Sequence, residues 1–289
     1  MSIEWSLLPR VLAGLALVVA LGALPRTSPD FTPGMKRDTR SNRGGWAFRV
    51  ADSSEVRGQG RGRFESWPAS ERAAYTGQFV FTRIRYDSPG GWGFGRRGSS
   101  SWSHDYPRAD QHLPRILRGV TTIDAQLADG NVLRLDDPEL FRFPVAYISE
   151  PGFWAMTDAE AESLRRYLLK GGFLILDDFE REQWDNMEAQ FHRVLPDHRL
   201  IQIDIDHPIF HAFFEMKTIY FPHPLVPVTP SYFGLFEGND PTGRMLAIVN
   251  YNNDVAEYWE WSDTGWLPLD FTNEAYKLGV NYIVYALTH

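Results

Sequence analysis

The sequence predicts a three-layer α/β/α domain built on a mostly parallel sheet. Three observations carry that expectation. Strand-length runs such as PVAYIS (residues 144–149) and FLILD (173–177) are continuously apolar, as in strands covered on both faces. The segments between such runs carry apolar residues at helical spacing. Strands that alternate with helices make βαβ units and hence parallel pairing.

Taken in order, FVFTRIRY (79–86) is a β-rich run, and 109–118 reads as a helix disturbed by Pro114. Residues 120–125 and 132–135 are short strand candidates, and 144–149 is a buried strand. Thr157 opens the next helix through a capping box with Glu160, and Gly171-Gly172 stop it. Its apolar face is Ala161, Leu164, Tyr167 and Leu168. After the strand 173–177, residues 180–195 read as a helix with Trp184, Met187, Phe191 and Leu195 on one stripe. Residues 200–205 and 245–251 are further strands, and 272–287 is a closing helix. Ligands of open α/β sheets sit at the carboxyl ends of the strands.

Composition narrows the chemistry. The chain has 289 residues, a formal net charge of −8 and no cysteine. The missing thiol excludes disulfides, thiolate metal sites, iron–sulfur clusters and a cysteine nucleophile. At 43% hydrophobic the chain is not wholly disordered. The charge is divided: residues 25–118 carry 17 Lys/Arg against 9 Asp/Glu, and residues 119–289 carry 11 against 27. The basic part either lies against its own acidic body or meets a partner or anionic headgroups. An acidic body does not suit nucleic acid, whose phosphates need concentrated positive charge.

Three regions are expected. Residues 1–24 are a membrane anchor or signal segment, with the uncharged run VLAGLALVVALGAL at 11–24. A helix begun at Trp5 is long enough to reach lipid across residues 5–24, with Arg10 snorkelling to the headgroups. Ala20-Leu21-Gly22 also resembles a cleavage site. A retained single anchor in a bacterial cell membrane is favoured, with the globular part on the periplasmic side. The positive residues after the run, from Arg26 to Arg43, keep the cytoplasmic side open. Residues 25–76 form a basic, extended arm in which Trp46, Phe48, Phe64 and Trp67 are candidate docking anchors, and 77–289 are the α/β domain.

Long stretches of that domain resemble a known family. LRRYLLKGGFLILDDF (164–179), WDNMEAQ (184–190), DHPIF (206–210), NYNND (250–254), YWEWSDTG (258–265) and TNEAYKLGVNYIVYALTH (272–289) are similar to the bacterial "domain of unknown function 4159" family. RIRYDSPGGW (83–92) and YPRAD (106–110) fit it too. The resemblance implies a flavodoxin-like fold of the class I glutamine-amidotransferase-like superfamily and no established activity. True glutaminases need a cysteine on a strand-to-helix elbow; this chain has Asp177-Asp178 after its FLILD strand, so thioester chemistry is excluded.

Candidate sites follow from where the strands end. Glu150 follows one strand, and Asp177 and Asp178 another, where adjacent carboxylates either hold a cation, share a proton or cap the next helix. Asn250, Asn252, Asn253, Asp254, Glu257, Trp259, Glu260 and Trp261 mix amides, acids and rings, which suits either sugar recognition or a turn-rich hairpin. His207 and His211, with Asp204, Asp206 and His223 nearby, have metal-like spacing, but Pro208 makes Asp206 or His207 a helix start instead. GFGRRG (93–98) is a weak phosphate-loop match; the loop reads better as a partner-binding finger with Trp92, Phe94, Arg96, Arg97 and Trp102.

The function expected from the sequence is a non-catalytic, membrane-tethered interaction module. It would be an extrinsic subunit of a respiratory, photosynthetic or transport assembly, with other protein subunits as partners and neither cofactor nor metal. The alternative is a carbohydrate- or metal-binding protein or hydrolase. Its site would be formed by Glu150, Asp177, Asp178, Asn250, Asn252 and Asp254.

Overall fold

The computed structural model describes residues 73–88, 101–127 and 130–289. The expectations for residues 1–24, for Trp46, Phe48, Phe64 and Trp67, and for Trp92, Phe94, Arg96 and Arg97 lie outside those residues. Among the described residues no helix is long and apolar enough to cross a membrane.

Among the described residues seven strands make one sheet: β1 (Thr82–Ile84), β2 (Asn131–Leu133), β3 (Val145–Ser149), β4 (Phe173–Phe179), β5 (Leu200–Ile203), β6 (Ser231–Phe236) and β7 (Met245–Tyr251). Their order is β2-β1-β3-β4-β7-β6-β5. The first five in that order pair in parallel; β6 runs antiparallel to both β7 and β5. The sheet is therefore mixed and mostly parallel. From β1 the chain goes one way to β2 and the other way to β3. A crevice opens at such a reversal outside the carboxyl ends of the strands.

Helices α1 (Arg108–Val120), α2 (Asp158–Leu169), α3 (Gln183–Val194), α4 (Val255–Glu260) and α5 (Leu269–Thr288) cover the sheet. Strand side chains alternate between its faces. Val145, Tyr147, Phe173 and Ile175 join α1, α4 and α5 in one apolar cluster. Ala146, Ile148, Leu174 and Leu176 join α2 and α3 in the other. This two-sided burial is why β3 and β4 read as unbroken apolar runs.

Local signals set the element ends. Thr157 and Glu160 make the capping box of α2. Gly171 adopts φ of +107° just past that helix, and a Cβ on Gly172 would lie 2.5 Å from the Tyr167 ring. Pro114 stays inside α1. The expected strand at 120–125 is instead the end of α1 followed by a single bridge from Ala125 to Phe79. β6 was not expected, because Gly234 at its centre weakens the apolar pattern. Residues 250–261 form no hairpin; Asn252 turns the chain at φ 57° and α4 follows.

Candidate functional site

The ends of β3 and β4 are bent out of regular geometry. Glu150 and Asp178 both adopt positive φ, 46° and 64°, an uncommon conformation for residues carrying a side chain. The pairing of β4 with β7 shifts register between Leu176 and Phe179. Leu176 and Phe179 consequently face the same apolar cluster, and the inserted residue is accommodated between them. Backbone bonds hold the bend: Glu150 N–H donates to Asp177 O at 3.1 Å and Asp178 N–H to Asn253 O at 3.1 Å. The Tyr86 hydroxyl lies 2.7 Å from the carbonyl oxygens of both Ser149 and Glu150.

Asp177 is consumed by structure. Its carboxylate accepts from the backbone N–H groups of Val255 (3.0 Å) and Ala256 (2.9 Å), from Asn250 Nδ2 (3.0 Å) and from the Tyr147 hydroxyl (3.1 Å). It thus sits on the N-terminus of α4, where backbone donors lack helical partners. Burial pushes its carboxyl up to about 6, against the pull of those bonds. Asn250 is held in turn by Tyr282, whose hydroxyl donates to its Oδ1 at 2.8 Å. Asn252 is spent on the Arg181 N–H and the Thr229 carbonyl.

A second anchor shapes the opposite wall. Arg83, at the centre of β1, is wholly buried. Its Nε lies 3.1 and 3.0 Å from the two Asp110 oxygens, and Nη2 is 2.6 Å from Oδ1. Burial opposes the guanidinium charge, and Asp110 outweighs it and raises the pKa. Nη1 donates to the carbonyls of Trp102 (3.1 Å) and His104 (2.9 Å). Arg83 therefore ties residues 102–104 to the sheet and points the next side chains at the strand ends. Trp102 is buried here, 6% exposed, and presents no adhesive tip.

Between these walls titratable groups converge. His104 Nδ1 is 2.7 Å from Asp178 Oδ2 and 3.4 Å from Asp105 Oδ1. The Ser149 hydroxyl donates to Asp178 Oδ2 at 3.1 Å. Asp254 caps α4 by accepting the Glu257 N–H on Oδ1 at 3.0 Å, which leaves Oδ2 without a hydrogen bond. The fully buried Asp105 side chain is paired within the cluster, with His104 and Glu257, and Asp105 itself adopts φ 62°. The His104 ring stays 41% exposed, so the cluster opens to solvent there.

The electrostatics follow from crowding. Burial pushes the Asp178 carboxyl up to about 8 against His104, and the Glu257 carboxyl, with Asp105 beside it, up to about 9. Burial and Asp178 hold Asp254 well above its ordinary value. Glu260 rises to about 7, mainly by burial. Asp105 is lowered: burial works against its charge, and His104 overrides it. His104 is raised, first by Asp105. The site is short of positive charge for the acids it gathers.

Of the residues singled out in the sequence, Glu150, Asp178 and Asp254 meet here; Asp177, Asn250 and Asn252 stabilise the scaffold. His207 starts a 3-10 turn over Pro208–Phe210 by accepting the Ile209 N–H, and His211 pairs with Glu215. Only His223 of that group reaches the acids, with Asp178 and Asp254. His104 and Asp105 were missed. They follow a glycine-rich loop with no periodic signal, and a sequence gives no hint of Arg83 beneath them.

The comparisons bear on ancestry. A family model described as a domain of unknown function (DUF4159) matches residues 80–287. The chain belongs to that family. No curated protein matches it. The DUF4159 match spans β1 through nearly all of α5, so every residue of the acidic cluster lies within the family domain.

Proposed function

We propose that this DUF4159 domain binds a small polar ligand at the carboxyl ends of β3, β4 and β7, with the protein supplying carboxylates and the ligand supplying positive charge. The observation that carries the reading is the crowding of Asp105, Asp178, Asp254 and Glu257 around His104, with the buried Asp254 Oδ2 left without a hydrogen bond. Such a group costs several kcal/mol unless something cationic meets it. Sugar recognition is the weaker form of the proposal. Trp259 is buried, with its Nε1 on Ala275 O, and the amides of Asn250 and Asn252 are already bonded.

The parallel order β2-β1-β3-β4 supports the flavodoxin-like, amidotransferase-like expectation. Within that proposal the domain has given up sulfur chemistry and kept the strand-end site. The test is a thermal-shift panel of divalent cations and organic amines on wild type and Asp105→Asn. Cations should raise the wild-type melting temperature. Asp105→Asn should lose the shift. A wild type indifferent to every cation removes the proposal.

The interaction-module reading remains a second proposal, favoured by the uncharged run at 11–24 and the basic, aromatic segment after it. It is compatible with the first, since a cation can brace a scaffold. Gentle detergent extraction and sizing test it: a chain that always runs alone at 33.1 kDa is no subunit.

A further inference from the structure

The ligand atoms of His104, Asp105, Asp254 and Glu257 all lie within 4.8 Å of one another. In a metal shell with bonds of about 2.1 Å, neighbouring ligands stand about 3 Å apart and opposite ones about 4.2 Å. The four groups therefore lie close enough together to share one ion. His104 Nδ1 is also 2.7 Å from Asp178 Oδ2, which places Asp178 at the border of that space.

The Asp105 side chain is fully buried and is paired with His104 and Glu257, the groups that would share an ion with it. Asp254 Oδ2 is buried and without a hydrogen bond, while Oδ1 is fixed by the α4 cap. The anchors that aim these groups are already made: Arg83 holds the His104 carbonyl, and the α4 cap holds Asp254. Preformed, oriented ligands are what a metal centre needs.

His223 is not a ligand. Its Nδ1 accepts the backbone N–H groups of Leu225 (3.1 Å) and Val226 (3.2 Å), so the neutral ring carries its proton on Nε2. That nitrogen faces Asp178 and Asp254 as a donor, with no lone pair to offer a cation.

We infer that His104, Asp105, Asp254 and Glu257 bind one divalent first-row metal ion, with Asp178 bordering it. One imidazole among carboxylates suits Mn²⁺ or Zn²⁺ better than Ca²⁺. The half-exposed His104 edge is the route of entry.

This inference rests on the proposed cation-binding site, and the experiment separates the two. The full-length chain, in mild detergent, is stripped with a chelator and titrated with Mn²⁺, Zn²⁺ or the polyamine spermidine by calorimetry, with metal content measured after dialysis. One Mn²⁺ or Zn²⁺ per chain, removable by chelator, is expected. Asp105→Asn, Asp254→Asn and Glu257→Gln keep shape and each should weaken binding at least tenfold, while exposed Asp197→Asn should leave it unchanged. Melting curves report whether each variant is folded, and the wild-type stoichiometry stands without them. Binding of spermidine but no metal overturns the metal inference and leaves the cation site. No binding of either overturns both. Metal binding that survives Asp105→Asn and Asp254→Asn overturns the inference by placing the ion elsewhere.

Discussion

Asp177 and Asp178, neighbours in the chain, carry their carboxylates on the same side of the sheet. In a regular strand they would point to opposite faces. The positive φ of Asp178 and the register shift before Phe179 turn it back toward Ser149 and His104. Asp177 meanwhile receives four donors from α4, Asn250 and Tyr147. One carboxylate builds the scaffold and the other faces the site.

The two should therefore respond differently to substitution. Asp177→Ala orphans the first N–H groups of α4 and is expected to cost about 3 kcal/mol in denaturant unfolding. Asp178→Asn replaces a carboxyl that burial keeps protonated up to about pH 8, and the cation-free protein should hold its stability at neutral pH. Equal losses in both variants would show that Asp178 is also structural.

Arg83 and Asp110 form a buried pair whose partners should not be removed singly. Arg83→Met leaves Asp110 charged and alone, with an expected cost of about 3–5 kcal/mol. Arg83→Met with Asp110→Leu should recover much of that stability by restoring an apolar fill. The double variant still lacks the bonds to the Trp102 and His104 carbonyls, so its cation affinity should stay low. Recovery of both properties together would show that residues 102–104 need no such anchor.

The acids predict the pH response of the cation-free chain. Asp178 and Glu257 titrate near 8 and 9 when folded, against about 4 when unfolded. Between those values the folded state holds protons that the unfolded state has released, so stability falls as pH rises. His104, raised as well, acts in the same direction. His223, lowered to about 4 mainly by burial, opposes this only below about pH 6.5. Denaturation in chelator should show a loss of about 1 kcal/mol or more from pH 7 to 9, and a bound cation should flatten the slope. Stability rising over that interval would mean that these acids ionise at ordinary values.

Gly279 tests the packing of α5. A Cβ there would lie 2.6 Å from Trp259 Cζ2 and 3.0 Å from Leu113 Cδ1. Gly279→Ala should destabilise by about 1–3 kcal/mol, even though alanine is intrinsically the better helix former by about 1 kcal/mol. A stabilised variant would mean that α4 and α1 can move aside.

The sequence by itself determined the elements whose signals are local. β3, β4, β7 and α2 fall almost where apolar runs and the Thr157–Glu160 box put them, because two-sided burial and capping are written in consecutive residues. It also removed glutaminase chemistry through the absence of one residue type, cysteine. Glu150, Asp178 and Asp254 were legible as strand-end acids. Tertiary structure alone decided which acids face one another. His104 and Asp105 join Asp254 and Glu257 across about 150 residues because a buried arginine on β1 ties their loop to the sheet. Asp177 leaves the group because the N-terminus of α4 docks on it. Such pairings depend on desolvation and on donors brought from elsewhere in the chain, which neither periodicity nor spacing records.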